Sequence, residues 1–583
     1  MSYKKYLQVF DLTPVVLLVA VILLGLFFRF ANLEHKVFWV DEVATAVRVS
    51  GYTIPEVTDD LVQQDIITRD VFFSYQGISP DKTFADCIRV LTKSPEHAPL
   101  YFIMTRVWMQ LWGNSITVMR SLSAGLSLLI FPCLYWLCVE LFNKPFIGWL
   151  AVGLITVSPF YVAYAQEARP YSLWTVTILL MSATFLRGVR LNSQRTWLLY
   201  GCCLIIGFYT SLFSLYIAFF QGIYLVLSSG KDKLNLIKNY LISSSIALCV
   251  FFPWVLVIIN HLDLLQENTS WMRGNFNPAD IIAVFIGTNL LIFGDLPISP
   301  DSNPIQVAVV LLVLVTTIFA VIKFYIRLKN SKLKLALLLF IGSSITLISN
   351  YIYLDWTTII GAVVAICILS LSIYSLYYLI HHLKRDRWLF VITLMLSLPV
   401  PLVLIDIINQ GQGSTAPRYL IPLQLGIITA VAYTFASKLA SSQGQKFWQL
   451  TMIAFLTLGI FSCIRNFELS PFYQKGRNVN NIAIAEIINK SNSPLVVVES
   501  GETMDLVSFA YSLNPTIKYK VINPEINLSE YLNNFKIIYL LKPDPDLTQR
   551  LTKNKKVDLQ QVYKSHVFSA DEFPLDLWSI KMK

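Results

Sequence analysis

An acidic pair, Asp41 and Glu42, follows the first long apolar stretch of the chain. Residues 14–33 are apolar except for Arg29 and Asn32, so they are long enough to cross a bilayer core of roughly 30 Å. A carboxylate just beyond such a stretch can take a proton from a hydroxyl group, but it also carries a desolvation cost. From position alone, the pair is equally well explained as two solvated carboxylates at a helix end.

Other polar and aromatic side chains stand near the ends of further apolar stretches. The candidates for substrate binding are Glu96, His97, Tyr101, Gln166, Glu167, Arg169, Tyr171, Tyr209, Arg418 and Tyr419. Several of them have a structural alternative. Arg169 and Arg418 can snorkel to lipid phosphates, and His97 can cap a helix. Glu167 can form a local salt bridge with Arg169.

The composition places the chain among polytopic membrane proteins. Of its 583 residues, 55% are hydrophobic and only 14% are charged, and the mean hydropathy is +0.58. A soluble globular protein of this length is far less apolar. The formal net charge of +10 comes largely from Lys and Arg in short loops, where these residues set topology, so it requires no nucleic-acid partner.

The apolar stretches predict about thirteen transmembrane helices in the lipid bilayer. Positive charge recurs in alternate loops, which predicts that those loops are cytoplasmic. This alternation of loops requires that two further apolar stretches, Pro99–Trp112 and Ile281–Phe293, are not full spans, and both are short. The first is amphipathic and suited to the membrane interface. The predicted spans are 14–33, 118–142, 147–165, 171–187, 196–212, 214–229, 239–260, 305–326, 335–353, 357–380, 389–408, 419–440 and 448–464.

Three segments then face the non-cytoplasmic side: 34–117, 261–304 and the tail 465–583. The tail alternates short strand-like runs with helical stretches, which predicts a small α/β domain, and it lacks a glycine-rich phosphate loop. The predicted strands are Leu495–Val498, Lys518–Val521 and Ile537–Leu541, and the predicted helices are 477–490, 503–513 and 545–554. The fold is therefore predicted to be mainly α, with a transmembrane domain over 1–464 and an α/β domain over 465–583.

All the candidate side chains lie at the same, outer membrane face in this topology. Acidic, basic and aromatic groups at one interface suit a ligand with a charged head and an apolar tail. Six short motifs follow one another along the chain: Trp39–Glu42, Glu96–Tyr101, Ser158–Phe160, Gln166–Tyr171, Tyr209–Thr210 and Arg418–Tyr419. In this order they resemble the motifs of the GT-C superfamily of polytopic glycosyltransferases, and within it the protein O-mannosyltransferase and lipid A aminoarabinose transferase branch. One departure is visible: the family's His-Pro-Pro-Leu-Tyr has alanine at its second position here, Ala98.

The resemblance implies a sugar donor attached to a polyprenyl phosphate and transfer of one sugar, usually with inversion, to an acceptor on a lipid, glycan or protein. The resembling families place their general base at the position of Asp41, so Glu42 is expected to orient the acceptor or to hold Asp41 in place. Arg169 and Arg418 are expected to stabilise the leaving phosphate. The expected location is the bacterial inner membrane, with the active site and the C-terminal domain on the periplasmic or external side.

Two other functions fit parts of this pattern. A transporter or flippase of a lipid-linked sugar, or a non-catalytic protein that binds such a lipid, would also have many spans and a phosphate-binding arginine pair. Neither requires an acidic pair on a large external loop. The sequence implies no certain cofactor, and a divalent metal is left open because Glu96, His97 and His261 could converge.

Overall fold

The protein is mainly helical, as the sequence predicts. The structure is a computed structural model, described here for residues 12–229, 232–295, 356–442, 444–470, 477–523, 529–553, 557–565 and 575–582. The helices up to residue 293 are α1 Leu12–Phe30, α2 Val40–Ser50, α3 Ile54–Gln63, α4 Arg69–Ser74, α5 Phe84–Thr92, α6 Leu100–Trp112, α7 Ile116–Leu128, α8 Ile130–Phe142, α9 Pro145–Thr156, α10 Pro159–Ala165, α11 Tyr171–Leu191, α12 Gln194–Thr210, α13 Ser214–Leu227, α14 Lys233–Asn260, α15 Leu262–Asn268 and α16 Pro278–Phe293. Those from residue 356 to 468 are α17 Trp356–His382, α18 Arg385–Leu396, α19 Pro399–Asn409, α20 Ile421–Leu439 and α21 Gln445–Glu468.

Seven helical segments of the described residues are long and apolar enough to cross a membrane, and an eighth results if the bent pair α9 and α10 forms one span. The seven are Ile116–Phe142, Tyr171–Leu191, Lys233–Asn260, Gly361–His382, Arg385–Asn409, Pro417–Leu439 and Gln445–Glu468. Helix α11 lies at the centre of the bundle, where nearly all its side chains are buried against α8 and α12. The membrane-spanning class is confirmed, but the predicted count of thirteen is not, and the predicted spans 305–326 and 335–353 lie outside the described residues.

The stretch predicted as a single span at 147–165 is two helices that bend by 67°. Pro159 begins the second helix, where its missing N–H costs nothing, whereas inside a continuous helix it would remove a hydrogen bond. Arg29 on α1 donates to the carbonyl oxygens of Thr156 and Ile155, at 2.6 and 3.2 Å, which lie at the end of α9. Arg29 therefore provides hydrogen bonds to backbone carbonyl groups at the bend.

The tail forms a small α/β unit, as predicted. Its strands are β1 Leu495–Glu499, β2 Lys518–Ile522, β3 Ile538–Leu541, β4 Val557–Tyr563 and β5 Leu577–Met582, and its helices are α22 Asn481–Asn489, α23 Thr503–Ala510, α24 Ser529–Asn534 and α25 Pro545–Lys553. The sheet order is β2-β1-β3-β5-β4, with β1 parallel to β2 and β3, and β5 antiparallel to β3 and β4. The sequence did not predict β4 and β5. The domain boundary at residue 465 stays a prediction, since α21 extends to Glu468.

Candidate active site

The acidic pair lies in the first turn of α2, a helix of 11 residues that begins at Val40. Residue Trp39 precedes it in an extended conformation and provides no side-chain cap, while Gly51 ends the helix with a φ of 95°, which glycine adopts without strain. Carboxylates are favoured in a first helical turn because the free N–H groups there carry partial positive charge. Adjacent residues on a helix point in different directions, so the two carboxylates have different surroundings.

Glu42 is completely buried and its carboxylate is fully engaged. Arg120 grips it with two parallel bonds, from Nε to Oε1 at 2.8 Å and from Nη2 to Oε2 at 2.6 Å. The backbone N–H of Ala168 also donates to Oε1, at 2.8 Å. Arg120 uses its remaining donors on carbonyl oxygens between Leu33 and Val37, which join the end of α1 to the start of α2. Of the two roles expected for Glu42, this geometry favours holding Asp41 in place.

Arg120 is the main site residue that the sequence analysis missed. It lies in α7, within the predicted span 118–142, and its side chain has no solvent exposure. An arginine inside an apolar stretch is costly unless it is paired, and this was the available signal. Its partner could not be read from the sequence because Glu42 is 78 residues away.

Asp41 differs from Glu42 because 30% of its side chain is exposed. Its Oδ2 lies 3.6 Å from Nη2 of Arg169, whose side chain is 7% exposed. Arg169 also donates from Nη1 to the hydroxyl of Thr45 at 3.0 Å, and Thr45 in turn donates to the carbonyl of Asp41 at 2.8 Å. The predicted base and one predicted phosphate ligand thus lie side by side.

Arg418 is the second predicted phosphate ligand, and it lies at the turn Pro417–Leu420. Its guanidinium carbon is 5.3 Å from the ring centre of Tyr419 and 5.6 Å from that of Trp271, within the range of cation–π contact. The positive charge of Arg418 interacts electrostatically with the Asp41 carboxylate and with Tyr171. The Asp41 carboxylate therefore lies in the field of two arginines from distant parts of the chain.

Glu96 and His97 lie beside this group. Nε2 of His97 is 3.5 Å from Oε1 of Glu96, and Glu96 accepts a hydrogen bond from Asn268 at 3.1 Å. Burial lowers the pKa of His97 well below its ordinary value of 6.5, and the charges of Arg48, Arg169 and Arg418 lower it further. His97 is therefore a neutral imidazole near pH 7, so its contact with Glu96 is not an ion pair.

This depressed pKa has a consequence for stability. The unfolded chain binds a proton at residue 97 more readily than the folded protein does. Above about pH 6.5 the imidazole is neutral in both states, whereas below it protonation favours the unfolded chain, so the free energy of unfolding decreases as the pH falls. We expect the melting temperature of the wild type to fall more steeply than that of His97→Gln between about pH 7 and about pH 5. Parallel thermal scans of the two purified proteins measure the difference, and identical slopes would contradict it.

Two of the predicted aromatic ligands lie next to the arginines. The ring centre of Tyr171 is 5.9 Å from the guanidinium carbon of Arg169, and Tyr419 packs against Phe213 with ring centres 4.5 Å apart. Glu167 is completely buried; its backbone carbonyl accepts from the Arg169 N–H at 2.7 Å, and its charge acts on Arg169. A role for these residues in substrate binding stays a prediction.

Three further candidates bond within the protein. The hydroxyl of Tyr101 lies 2.7 Å from that of Ser123 and is completely buried. Nε2 of Gln166 donates to the carbonyls of Phe28 and Ala31, at 2.7 and 2.9 Å, and the hydroxyl of Tyr209 donates to Val250 at 2.8 Å. These bonds give each side chain a structural task. Their predicted contact with substrate stays a prediction.

Glu96, His97 and His261, the three residues that could converge on a metal, do not form such a group in the structure. Nδ1 of His261 is 3.0 Å from the carbonyl of Val257, one turn back on α14. Within the described parts of the chain, no group of three or more His, Cys, Asp or Glu side chains is arranged to hold a metal ion.

Comparison with known proteins gives one family-model match and several similar solved structures. The family model described as dolichyl-phosphate-mannose-protein mannosyltransferase matches residues 96–257. Similar solved structures include ArnT from Cupriavidus metallidurans bound to undecaprenyl phosphate, at 12% identity and a TM-score of 0.37 over 98% of each chain. Another is the oligosaccharyltransferase AglB from Archaeoglobus fulgidus with an inhibitory peptide and a dolichol-phosphate, at 11% identity and a TM-score of 0.46 over 93% of this chain and 70% of that chain.

A search of curated proteins gives no match. The family-model match covers the segment that carries Glu96, His97 and Arg169, together with α6 to α13 and most of α14. This match confirms the predicted resemblance to the GT-C superfamily of membrane glycosyltransferases.

Proposed function

We propose that this membrane glycosyltransferase moves one sugar from a polyprenyl-phosphate donor to an acceptor hydroxyl on the outer membrane face, with Asp41 as the general base. The observation that carries the proposal is the difference in surroundings between the two carboxylates of the acidic pair. Glu42 is buried and bonded to Arg120, whereas the Asp41 carboxylate is 30% exposed and lies 3.6 Å from Arg169. A carboxylate reachable from outside, beside two arginines, suits a hydroxyl acceptor and a phosphate leaving group.

The reaction is a single displacement. The acceptor oxygen forms a bond to the anomeric carbon as the bond from that carbon to the phosphate oxygen breaks, and the hydroxyl proton passes to Asp41. The electron pair leaves with the polyprenyl phosphate, whose added charge Arg169 and Arg418 stabilise. A direct displacement of this kind inverts the anomeric carbon.

Donor binding would also prepare the base. Without the donor, Arg169 pairs with Asp41, and a neighbouring cation makes a carboxylate a weaker proton acceptor. A donor phosphate competes for the same guanidinium and weakens its hold on Asp41. Asp41 would thus become more basic once the donor is in place.

The donor class rests on two kinds of support. The guanidinium pair is suited to phosphate, and the matching family model is described by a dolichyl-phosphate-linked sugar. Many apolar side chains on the helices remain exposed, as a surface facing lipid requires, and a polyprenyl chain could lie along it. The alternation of positive loops supports a site on the outer membrane face.

An assay of the purified protein tests the proposal against the transporter alternative. The probes are polyprenyl-phosphate-linked sugars, beginning with mannose, offered together with membrane lipids, envelope glycans or peptides, and products are identified by mass spectrometry. A transferase releases polyprenyl phosphate and adds one sugar mass to an acceptor. A flippase moves the donor across vesicles without changing its covalent structure, and that result with every acceptor would overturn the proposal.

Arg418 provides a test of donor recognition. Arg418→Ala removes a charged contact to the donor phosphate, so we expect kcat/KM for the donor to fall about 10- to 100-fold. The matched control is Arg273→Ala, which removes an exposed arginine two residues from Trp271, the ring beneath Arg418. Steady-state kinetics at varied donor concentration distinguish the variants. A wild-type value for Arg418→Ala would remove Arg418 from the phosphate site.

A further inference from the structure

The helix that carries Asp41 is capped by the C-terminal domain. The N–H of Val40 is one of the donors that the first turn of a helix leaves without a partner, and Trp39 provides none. Instead, Oδ1 of Asn478 accepts from Val40 N–H at 2.9 Å. Asn478 is 2% exposed and has a φ of 68°, a left-handed conformation that asparagine tolerates better than most residues.

Asp505 fixes the orientation of this cap. An ionised carboxylate accepts hydrogen bonds only, so the amide nitrogen of Asn478 must face it, and Nδ2 donates to Oδ1 of Asp505 at 3.0 Å. The amide oxygen is thereby turned toward Val40. Nε of Arg477 donates to the same carboxylate at 3.0 Å, and Asp505 is 1% exposed. The buried carboxylate is thus paired and holds the capping amide in one orientation.

Helix α23 of the tail, which contains Asp505, makes a second contact just before α2. Ser508, three residues after Asp505 and therefore on the same face of α23, donates from Oγ to the carbonyl of Phe38 at 2.7 Å. Farther along the external loop, Tyr519 of β2 exchanges two backbone hydrogen bonds with Ile67, each 2.9 Å long. The tail therefore contacts the loop at Phe38, just before α2 begins, and again at Ile67.

We infer that the C-terminal domain positions the catalytic base, because Asn478, held by Asp505, caps the helix turn that carries Asp41. Asn478 does not contact the reacting groups and is a positioning residue. The inference rests on the proposed role of Asp41 as base. It gives the tail a task other than choosing or covering the acceptor: it sets the distance and direction of the base relative to Arg169.

Asn478→Gly is the sharpest substitution, because glycine removes the amide but keeps the left-handed backbone free of strain. We expect kcat to fall about 10- to 100-fold, since a shift of about 1 Å at a reacting group can cost about 100-fold. The KM for the donor should stay within about two-fold, because Arg418 is not displaced. Hydrogen exchange of the peptide that contains Val40 should accelerate.

The control is Asn480→Ala, two residues away, where the side-chain oxygen accepts from Tyr563 within the tail itself. It should leave kcat and the exchange at Val40 unchanged. A second variant, Ser508→Ala, removes the other contact of the tail just before α2, at the carbonyl of Phe38, so it should also lower kcat while the KM for the donor stays within about two-fold. This variant tests the positioning role if Asn478→Gly proves unstable.

The outcomes separate the two proposals. Wild-type kcat and exchange in Asn478→Gly, or wild-type kcat in Ser508→Ala if Asn478→Gly is unstable, would overturn the positioning role. Full activity of Asp41→Asn combined with faster exchange at Val40 in Asn478→Gly would instead overturn the base assignment and leave the capping contact intact. The assay uses the full-length protein in each case.

Discussion

Asp41→Asn is expected to lower sugar transfer by about 100- to 10,000-fold, the range that a positioned general base contributes. Asparagine has the same shape as aspartate but cannot take the hydroxyl proton. Its amide oxygen can still accept from Arg169, so the protein should insert and fold as the wild type does. Transfer is measured as polyprenyl phosphate released from the donor at saturating acceptor.

Donor binding gives this variant a second signature. Asparagine is neutral and competes less with the donor phosphate for Arg169, so the donor should bind at least as tightly as to the wild type. The matched control is Asp59→Asn, which changes an exposed carboxylate on α3, in the same segment between α1 and α7, and which should transfer normally. Transfer by Asp41→Asn within about ten-fold of the wild type would remove Asp41 from the role of base.

Of the single substitutions discussed, Arg120→Met is expected to lower the free energy of unfolding most, by about 3–5 kcal/mol, because it leaves the Glu42 carboxylate buried without its cation. Both side chains have no solvent exposure, and Arg120 also satisfies three backbone carbonyls. Thermal unfolding of the purified protein measures the loss. The expected phenotype is a poorly folded protein, in contrast to the folded and inactive Asp41→Asn.

Two comparisons isolate the cause. Arg89→Ala breaks an exposed pair with Asp86, 2.7 Å long, and should leave the unfolding temperature almost unchanged. The double variant Arg120→Met with Glu42→Leu removes both charges and should be more stable than Arg120→Met alone, because no carboxylate is then buried unpaired. Equal stability of Arg120→Met and Arg89→Ala would contradict the assignment of Glu42 to a structural role.

Local patterns in the sequence predicted most of the fold. The apolar stretches correspond to helices wherever the structure describes them, and the three strand-like runs predicted in the tail are β1, β2 and β3. The strand β4 was missed because Asp558, Gln560 and Gln561 interrupt its apolar residues and it is only partly buried, and β5 was missed because Leu577–Met582 gains its strand geometry by pairing with β3 and β4. Pairing of this kind depends on residues that are distant in sequence, which a local pattern does not record.

The candidate site was predictable as a set of residues but not as an arrangement. The motifs named Asp41, Arg169 and Arg418, and the structure brings the first two to 3.6 Å. Which member of the acidic pair is accessible depends on Arg120, and the start of its helix depends on Asn478, two residues that no local motif connects to Asp41. Neighbours in an amphipathic helix can be inferred from spacing, whereas partners 78 and 438 residues apart cannot.

The contact between Val40 and Asn478 also constrains how the chain is threaded through the bilayer. Two residues joined by a hydrogen bond at one membrane face must lie on the same side, so the chain between them crosses an even number of times. The thirteen predicted spans include one before Val40 and twelve between the two residues, which satisfies this parity condition. A topology map with reporter fusions in the loops near residues 80 and 480 should therefore assign both to one compartment, whichever compartment that is.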